Sequence, residues 1–253
     1  MTHNFYYNAG SSILFDGSND YLEIANQGDG VANLNPGHDE AWSLSAWIKP
    51  SSTSTWRAIF ANQESSSPYT GWCLTFAESG KLSFTGYDDS GAVIGIDVDY
   101  NDGGAYPPHT WINVVATYDG SGNRSGLNVY VDGTLQEKAN RAGTVASITA
   151  LDSGEPIWIG RVSWGSYFSG DICHVGFWSK ELTAPEAREI YNGRNGARGP
   201  GDLNRHSAAS NLVSWWIADN ASDTYNGTIY DAKGSFNMTP NNLASDAITD
   251  RAP

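Results

Sequence analysis

WINVVATYDGSGNRSGLNVYVDGTLQ, residues 111–136, holds two strand-like runs separated by a Gly-, Ser- and Asn-rich stretch. In the second run Asp132-Gly133 stands between Val131 and Leu135. A two-residue hairpin turn selects that dipeptide, because both of its central residues need positive φ. WSLSAWIKP (42–50) has the same texture: Trp42, Leu44, Ala46 and Ile48 share one face of a strand, with Ser43, Ser45 and Lys49 opposite. Further strands are expected in CLTFAE, KLSFTGY, AVIGIDVDY, PIWIGR and DICHVGFW. Short strands, polar turns, 28 glycines and an aromatic set of 10 Trp, 13 Tyr and 8 Phe point to an all-β chain. The expected architecture is a two-sheet antiparallel jelly-roll sandwich. One short helix fits SKELTAPEAREIYNGR, with Thr183 as N-cap, Glu186 closing a capping box and Gly193 near the end. Glu186 and Glu189 are then helix surface, not a catalytic pair.

The 253 residues carry 28 acidic against 14 basic side chains, a net charge of −14. Such a chain repels phosphate backbones, so nucleic acid is excluded as a partner. No run of 18 apolar residues exists, so membrane insertion is not expected. MTHNFYYNAG has no basic and apolar leader, which leads to the expectation of assembly in a cytoplasm instead of export. Cys73 and Cys173 sit in apolar alternating stretches and read as two buried free thiols. The texture changes near 197. Residues 1–196 read as the jelly roll, 197–210 (ARGPGDLNRHSAAS) as a linker, and 211–253 as a C-terminal strap packed on the same or a neighbouring jelly roll. Trp215, Trp216 and Ile217 are its expected assembly residues.

Taken in order, FDGSNDYLEI, WSLSAWIKP, WINVVATYDG with LNVYVDGTLQ, and IWIGR with FSGDICHVGFWSKELTAPEAREIYNG resemble the laminin-G-like branch of concanavalin A-like jelly rolls. The resemblance covers roughly residues 11–196. It implies fold more than function, because this architecture hosts lectins, pentraxins, adhesion modules and glycoside hydrolases. The strap sequence LVSWWIADNASDTYNGTIYDAKGSFNMT is similar to the leader that such domains carry in front of the Phe-Asp-Gly strand, although here it follows the domain. With the ending ASDAITDRAP, the arrangement resembles laminin-G-like virion structural proteins of marine bacteriophages.

The resemblance implies a non-enzymatic virion protein, a capsid decoration, spike or tail appendage, exposed on the particle and assembled in the host cytoplasm. Its partners would be other virion proteins, neighbouring copies in a homo-oligomer or multi-copy array, and host-surface glycans. The alternatives are a secreted, extracellular calcium-dependent lectin and a glycoside hydrolase of the same fold. The hydrolases of this fold place a Glu-x-Asp-x-x-Glu triplet or close variant on one strand, and the chain contains none. No cofactor is required.

Calcium is the ion the pattern would take. The family's Ile-Asp-Glu-Val strand reads Ile172, Cys173, His174 and Val175 here, which removes the usual acidic ligand. The metal candidates that remain are Asp16, Asp20 and Asp171. In SSILFDGSNDYLEIAN (11–26), Gly, Ser and Asn are sufficient for a turn, and a calcium contact through Asp16 or Asp20 is the competing reading. IDVDYNDGG (96–104) imitates an EF-hand opening, but Asp102 stands where glycine is needed and Pro108 where glutamate is needed. Asp97, Asp99 and Asn101 then read as a solvated face. For glycan contact the candidates are loop aromatics, whose flat faces stack on sugars. These are Trp164 and Tyr167 in loop 163–169, flanked by Arg161 and Asp171, with Tyr69, Tyr106 and Trp56 elsewhere.

Overall fold

The computed structural model describes residues 10–25, 28–77, 80–100, 103–193, 196, 198–218, 223–249 and 252–253. Its strands begin with β1 (Ser12–Asp16), β2 (Tyr21–Ile24), β3 (Trp42–Pro50), β4 (Arg57–Ala61), β5 (Gly71–Phe76), β6 (Leu82–Tyr87) and β7 (Val93–Val98). There follow β8 (Ile112–Tyr118), β9 (Leu127–Val131), β10 (Thr134–Leu135), β11 (Lys138–Asn140), β12 (Ile157–Ile159) and β13 (Ser169–Trp178). Helix α1 (Ala184–Tyr191) precedes β14 (Leu212–Trp216), β15 (Thr239–Asn241) and β16 (Ile248–Thr249). Among the described residues they form two antiparallel eight-stranded sheets. Sheet A runs β10-β9-β8-β3-β13-β1-β16, with β14 also on β13, and sheet B runs β11-β7-β6-β5-β4-β12-β2-β15. This is the sandwich that the alternation predicts. The Asp132-Gly133 turn joins β9 to β10 with φ of 49° and 74°, both positive as the hairpin requires.

The facing sides of the sheets meet through aromatic rings. Trp42 of β3 stacks on Phe177 of β13 at 5.8 Å and lies 4.8 Å from Trp72 and 5.4 Å from Phe84, both in sheet B. Such pairs contribute about 0.5–1.5 kcal/mol each beyond their burial.

The outer face of sheet A is covered. Ser43 and Ser45, on the face of β3 opposite Trp42 and Leu44, are both buried. Ser43 Oγ donates to the Lys180 carbonyl and accepts the Leu182 N–H, Trp178 Nε1 donates to Ser45 Oγ, and Trp47 stacks on Tyr191. Helix α1 lies over this face, its capping box formed between Thr183 and Glu186. Within the segment 197–210 that reads as a linker, the residues described from 198 onward pack on the jelly roll. Leu203 and Ala208 join Trp178, Leu182, Ile190, Leu212 and Trp215 in a second apolar cluster, so a polar-looking segment folds in through a few small contacts.

The edge of β13 is shared. β1 pairs with its first residues, from Asp16↔Ser169 to Ile13↔Ile172, and β14 with its last, from Trp216↔Val175 to Leu212↔Trp178. At the junction β13 bulges, and His174 adopts a left-handed φ of 51°. Trp215 and Trp216 are buried and Ile217 half-buried against the same chain. The Trp216 ring enters the main core edge-on to Phe60 at 5.9 Å, and its Nε1 donates to the Phe236 carbonyl. β15 then pairs with β2 in sheet B, and β16 with β1 in sheet A. Cys73 and Cys173 are free and buried in opposite sheets, and burial pushes the Cys73 thiol up to about 11.

Two outcomes follow from this edge. Trp216→Ala is expected to cost about 3–5 kcal/mol, the range for emptying a buried Trp site, read from urea unfolding. Burial also pushes the His174 imidazole down to about 3, whereas an unfolded histidine titrates near ~6.5. Between those values the unfolded chain binds more protons, so this contribution to stability is full above the upper value and is lost as pH falls. From pH 6.5 to 5 the loss is about 2 kcal/mol. His174→Asn, whose side chain tolerates the left-handed backbone, should remove that part of the pH dependence.

Candidate functional site

Between β12 and β13 the chain doubles back over the outside of sheet B. Gly160 starts the loop at φ 82°, packed against the Phe15 ring where a Cβ would collide. Arg161 bridges to Tyr167, Val162 N–H donates to the Ser166 carbonyl at 3.2 Å, and Gly165 turns the tip with open space around it. Val162 is fully buried among Ala58, Ala61 and Cys73. Those small outward residues are why the loop can lie flat on this face.

The loop tip presents Trp164, 43% exposed. It is nevertheless pinned: Nε1 donates to Gln63 Oε1 at 3.1 Å, and the ring stands edge-on to Trp56 at 5.9 Å. The Arg141 guanidinium lies over Trp56 at 4.6 Å, donates to Ser83 Oγ at 2.6 Å and pairs with Asp97 at 3.7 Å. On the other flank, Arg161 lies 4.6 Å from the Tyr21 ring and 5.1 Å from Trp158, whose Nε1 donates to Glu23. Tyr167 lies 6.4 Å from Tyr21. Arg57 ties the base of the loop by donating to the Gly17 and Tyr167 carbonyls. Thr75 Oγ1, Arg161 Nε, Ser163 Oγ and Ser166 Oγ are buried here without a hydrogen-bond partner among the described residues. Polar capacity and fixed aromatic faces therefore coincide on one surface. Arg141, Gln63 and Tyr21 carry no sequence signal of this role, since each comes from a distant strand or connection.

Other sequence candidates are placed elsewhere. Tyr106 is not a loop contact but core, 1% exposed, between Phe76 and Tyr100, and burial raises its phenol pKa. Its flanking Gly and Pro residues mark a turn, and the ring points inward from it. Tyr69 stands 42% exposed on the β4–β5 connection. Asp171 does not flank the aromatic loop. It points outward from sheet A, buried, accepting from Ser12 Oγ at 3.1 Å with Lys49 at 3.7 Å. Asp99 pairs with Lys81 at 2.9 Å. Asn101 and Asp102 lie outside the described residues.

The block 16–20 is a turn. Asp16 Oδ1 accepts the N–H groups of Ser18 and Asn19, Asp20 Oδ2 accepts that of Asp16, and Gly17 takes φ 80°. Burial pushes the Asp20 carboxyl up, against the Asp16 N–H. These donors do not fit a calcium ion. Asp16 and Asp20 are spent on backbone N–H groups, and Asp171 is already beside a lysine cation. Among the described residues no three His, Cys, Asp or Glu side chains group where an ion could be held.

The family described as the concanavalin A-like lectin/glucanases superfamily, laminin G type 3, matches residues 16–188. That is well over half of the chain, and the chain belongs to this family. A search among curated proteins finds no match. Of solved structures, a protein of Bacteroides ovatus described as carbohydrate-binding is 19% identical with a TM-score of 0.66. The alignment takes in 96% of this chain and 61% of that one, so the chain spans less than two thirds of this relative. A heptameric SAP-like pentraxin of Limulus polyphemus is 18% identical with a TM-score of 0.52, over 84% of this chain and 94% of that one. The CBM40 of a Ruminococcus gnavus IT-sialidase, bound to α2,3-sialyllactose, is 12% identical with a TM-score of 0.52, over 72% and 97%. These likenesses establish a lectin-like fold.

Because Asp16, Asp20 and Asp171 are engaged within the protein, the melting temperature should be the same, within about 1 °C, in calcium and in excess chelator. A ligand that bound the folded form alone would instead add about 2.7 kcal/mol at 100 times its dissociation constant.

Proposed function

We propose that this chain is a non-enzymatic, lectin-like binding protein that contacts carbohydrate through the Trp164–Trp56 surface of sheet B. The observation that carries the reading is Trp164, an indole 43% exposed yet held in one orientation by Gln63 and Trp56. An exposed ring gains nothing for the core; a fixed one offers a stacking face at little entropic cost. Arg141 and Arg161 beside the rings add hydrogen-bond donors in a chain that is otherwise strongly acidic. Asp97 and Asp99, two apart along β7 and its end, are each paired with a cation, which favours binding over hydrolysis.

The setting we propose is the surface of a bacteriophage particle, as a decoration, spike or tail appendage present in many copies. Its support is the order of sequence pieces, with the Trp-containing segment after the jelly roll, and the likeness of that arrangement to phage virion proteins. Repetition would raise the avidity of one shallow site by about 10²–10⁴. The secreted, calcium-dependent lectin is less well supported, since Asp16, Asp20 and Asp171 are otherwise engaged.

Trp164→Ala combined with Trp56→Ala should weaken retention on host-surface polysaccharide by at least about tenfold, equivalent to about 1.4 kcal/mol. Circular dichroism should stay native. Unchanged retention would remove this surface from consideration, and an unfolded double variant would make the rings structural. Mass spectrometry of purified particles tests the setting separately.

A further inference from the structure

The chain leaves sheet A after the two residues of β10 and crosses to sheet B, where β11 pairs with β7. Gln136 N–H still reaches the Val129 carbonyl at 3.0 Å. Beyond it β10 has ended, and Lys138 takes over the edge of β9. Its Nζ donates to the carbonyls of Leu127 and Ser125 at 2.6 and 2.7 Å, and to Asn128 Oδ1 at 3.0 Å. Asn128 points outward from β9, and its Nδ2 donates to Glu181 Oε1 at 3.4 Å, just ahead of α1. Asp119, which follows β8, lies over Gly126, where a Cβ would overlap its carboxylate. An amine, a carboxamide and a carboxyl group thus stand in series at the open edge of the sandwich, with a second carboxylate alongside.

We propose that Lys138 and Asn128 join in an intramolecular isopeptide bond, formed by the protein itself with Glu181 as proton carrier. Nothing outside the chain is needed. A carboxylate takes one proton from the Lys138 ammonium, and the freed Nζ lone pair attacks Asn128 Cγ, forming the C–N bond as the carbonyl pair moves to Oδ1. When that pair returns, the Cγ–Nδ2 bond breaks, Nδ2 takes a proton from Glu181, and ammonia leaves. The second proton from Nζ restores the carboxyl. Ammonium and carboxamide become amide and ammonium ion, with no change of oxidation state. The surroundings lean the right way. Lys138 lies on an exposed strand, where partial burial lowers its pKa with the charges of Asp119 and Glu181 opposing. Burial and the Asp119 charge raise that of Glu181, with the Asn128 hydrogen bond and the Lys138 and Lys180 charges opposing. A nucleophilic lysine needs that loss of charge. The bond would tie the β9 edge of sheet A to β11, the edge strand of sheet B.

The test is the intact mass of the full chain, denatured after incubation at pH 8–9. Wild type is expected about 17 Da below its sequence mass, one ammonia lost. Trypsin should leave 125–141 uncut at Lys138 and light by the same amount. Lys138→Arg and Glu181→Gln, each verified as folded by circular dichroism, should keep full mass. A wild type at full mass overturns the proposal. So does an equal deficit in Lys138→Arg, which would mean that Asn128 cyclises on its own backbone.

Discussion

One strand edge organises this molecule. β13 is ten residues long and β1 is five, so pairing with β1 leaves the C-terminal half of that edge open. An open edge in the middle of a sheet leaves backbone N–H and C=O groups unsatisfied and the core beneath them wet. β14 fills the vacancy end to end with β1, and the seam between them falls at the His174 bulge. The rest of the C-terminal segment follows from that placement. With β14 docked, the chain continues along the same flank of the sandwich and adds β15 to one sheet and β16 to the other. The segment therefore completes the sandwich from within.

The two outer faces have opposite fates for a related reason. On sheet A the outward residues of β3 and β13 include Trp47 and Trp178, too large to leave in water, and α1 with the 203–211 turns covers them. On sheet B the outward residues near the centre are Ala58, Ala61 and Cys73, a shallow floor on which a single valine anchors a loop. A loop held at one point by Val162 and at its base by Arg57 can hold its tip aromatic out to solvent and still keep it still. The exposed Trp164 is a consequence of small residues beneath it.

The fold was legible in the sequence because its determinants are local. Period-two alternation, the Asp132-Gly133 turn and the Thr183–Glu186 capping box each act over a few residues, and each appears where the chain places it. The candidate site was legible only in part. Trp164 and Trp56 stood out as aromatics among Gly and Ser, and Tyr106 looked the same yet is core, since local composition does not say which way a turn points its ring. Asp171 was misplaced beside the loop because the chain passes from sheet B at β12 to sheet A at β13, a crossing that sequence spacing does not reveal.

What the sequence determined by itself is the class of protein: strands, turns, one helix, acid balance, and family. Tertiary structure decided everything that depends on residues meeting across the chain. Ser43 and Ser45 read only as the polar side of a strand until α1 covers them, and 197–210 reads as linker until Leu203 and Ala208 find Trp215. Arg141 has no signal until β11 brings it over Trp56. The reason is physical: propensity and periodicity are set by neighbours in sequence, whereas burial and partnership are set by neighbours in space.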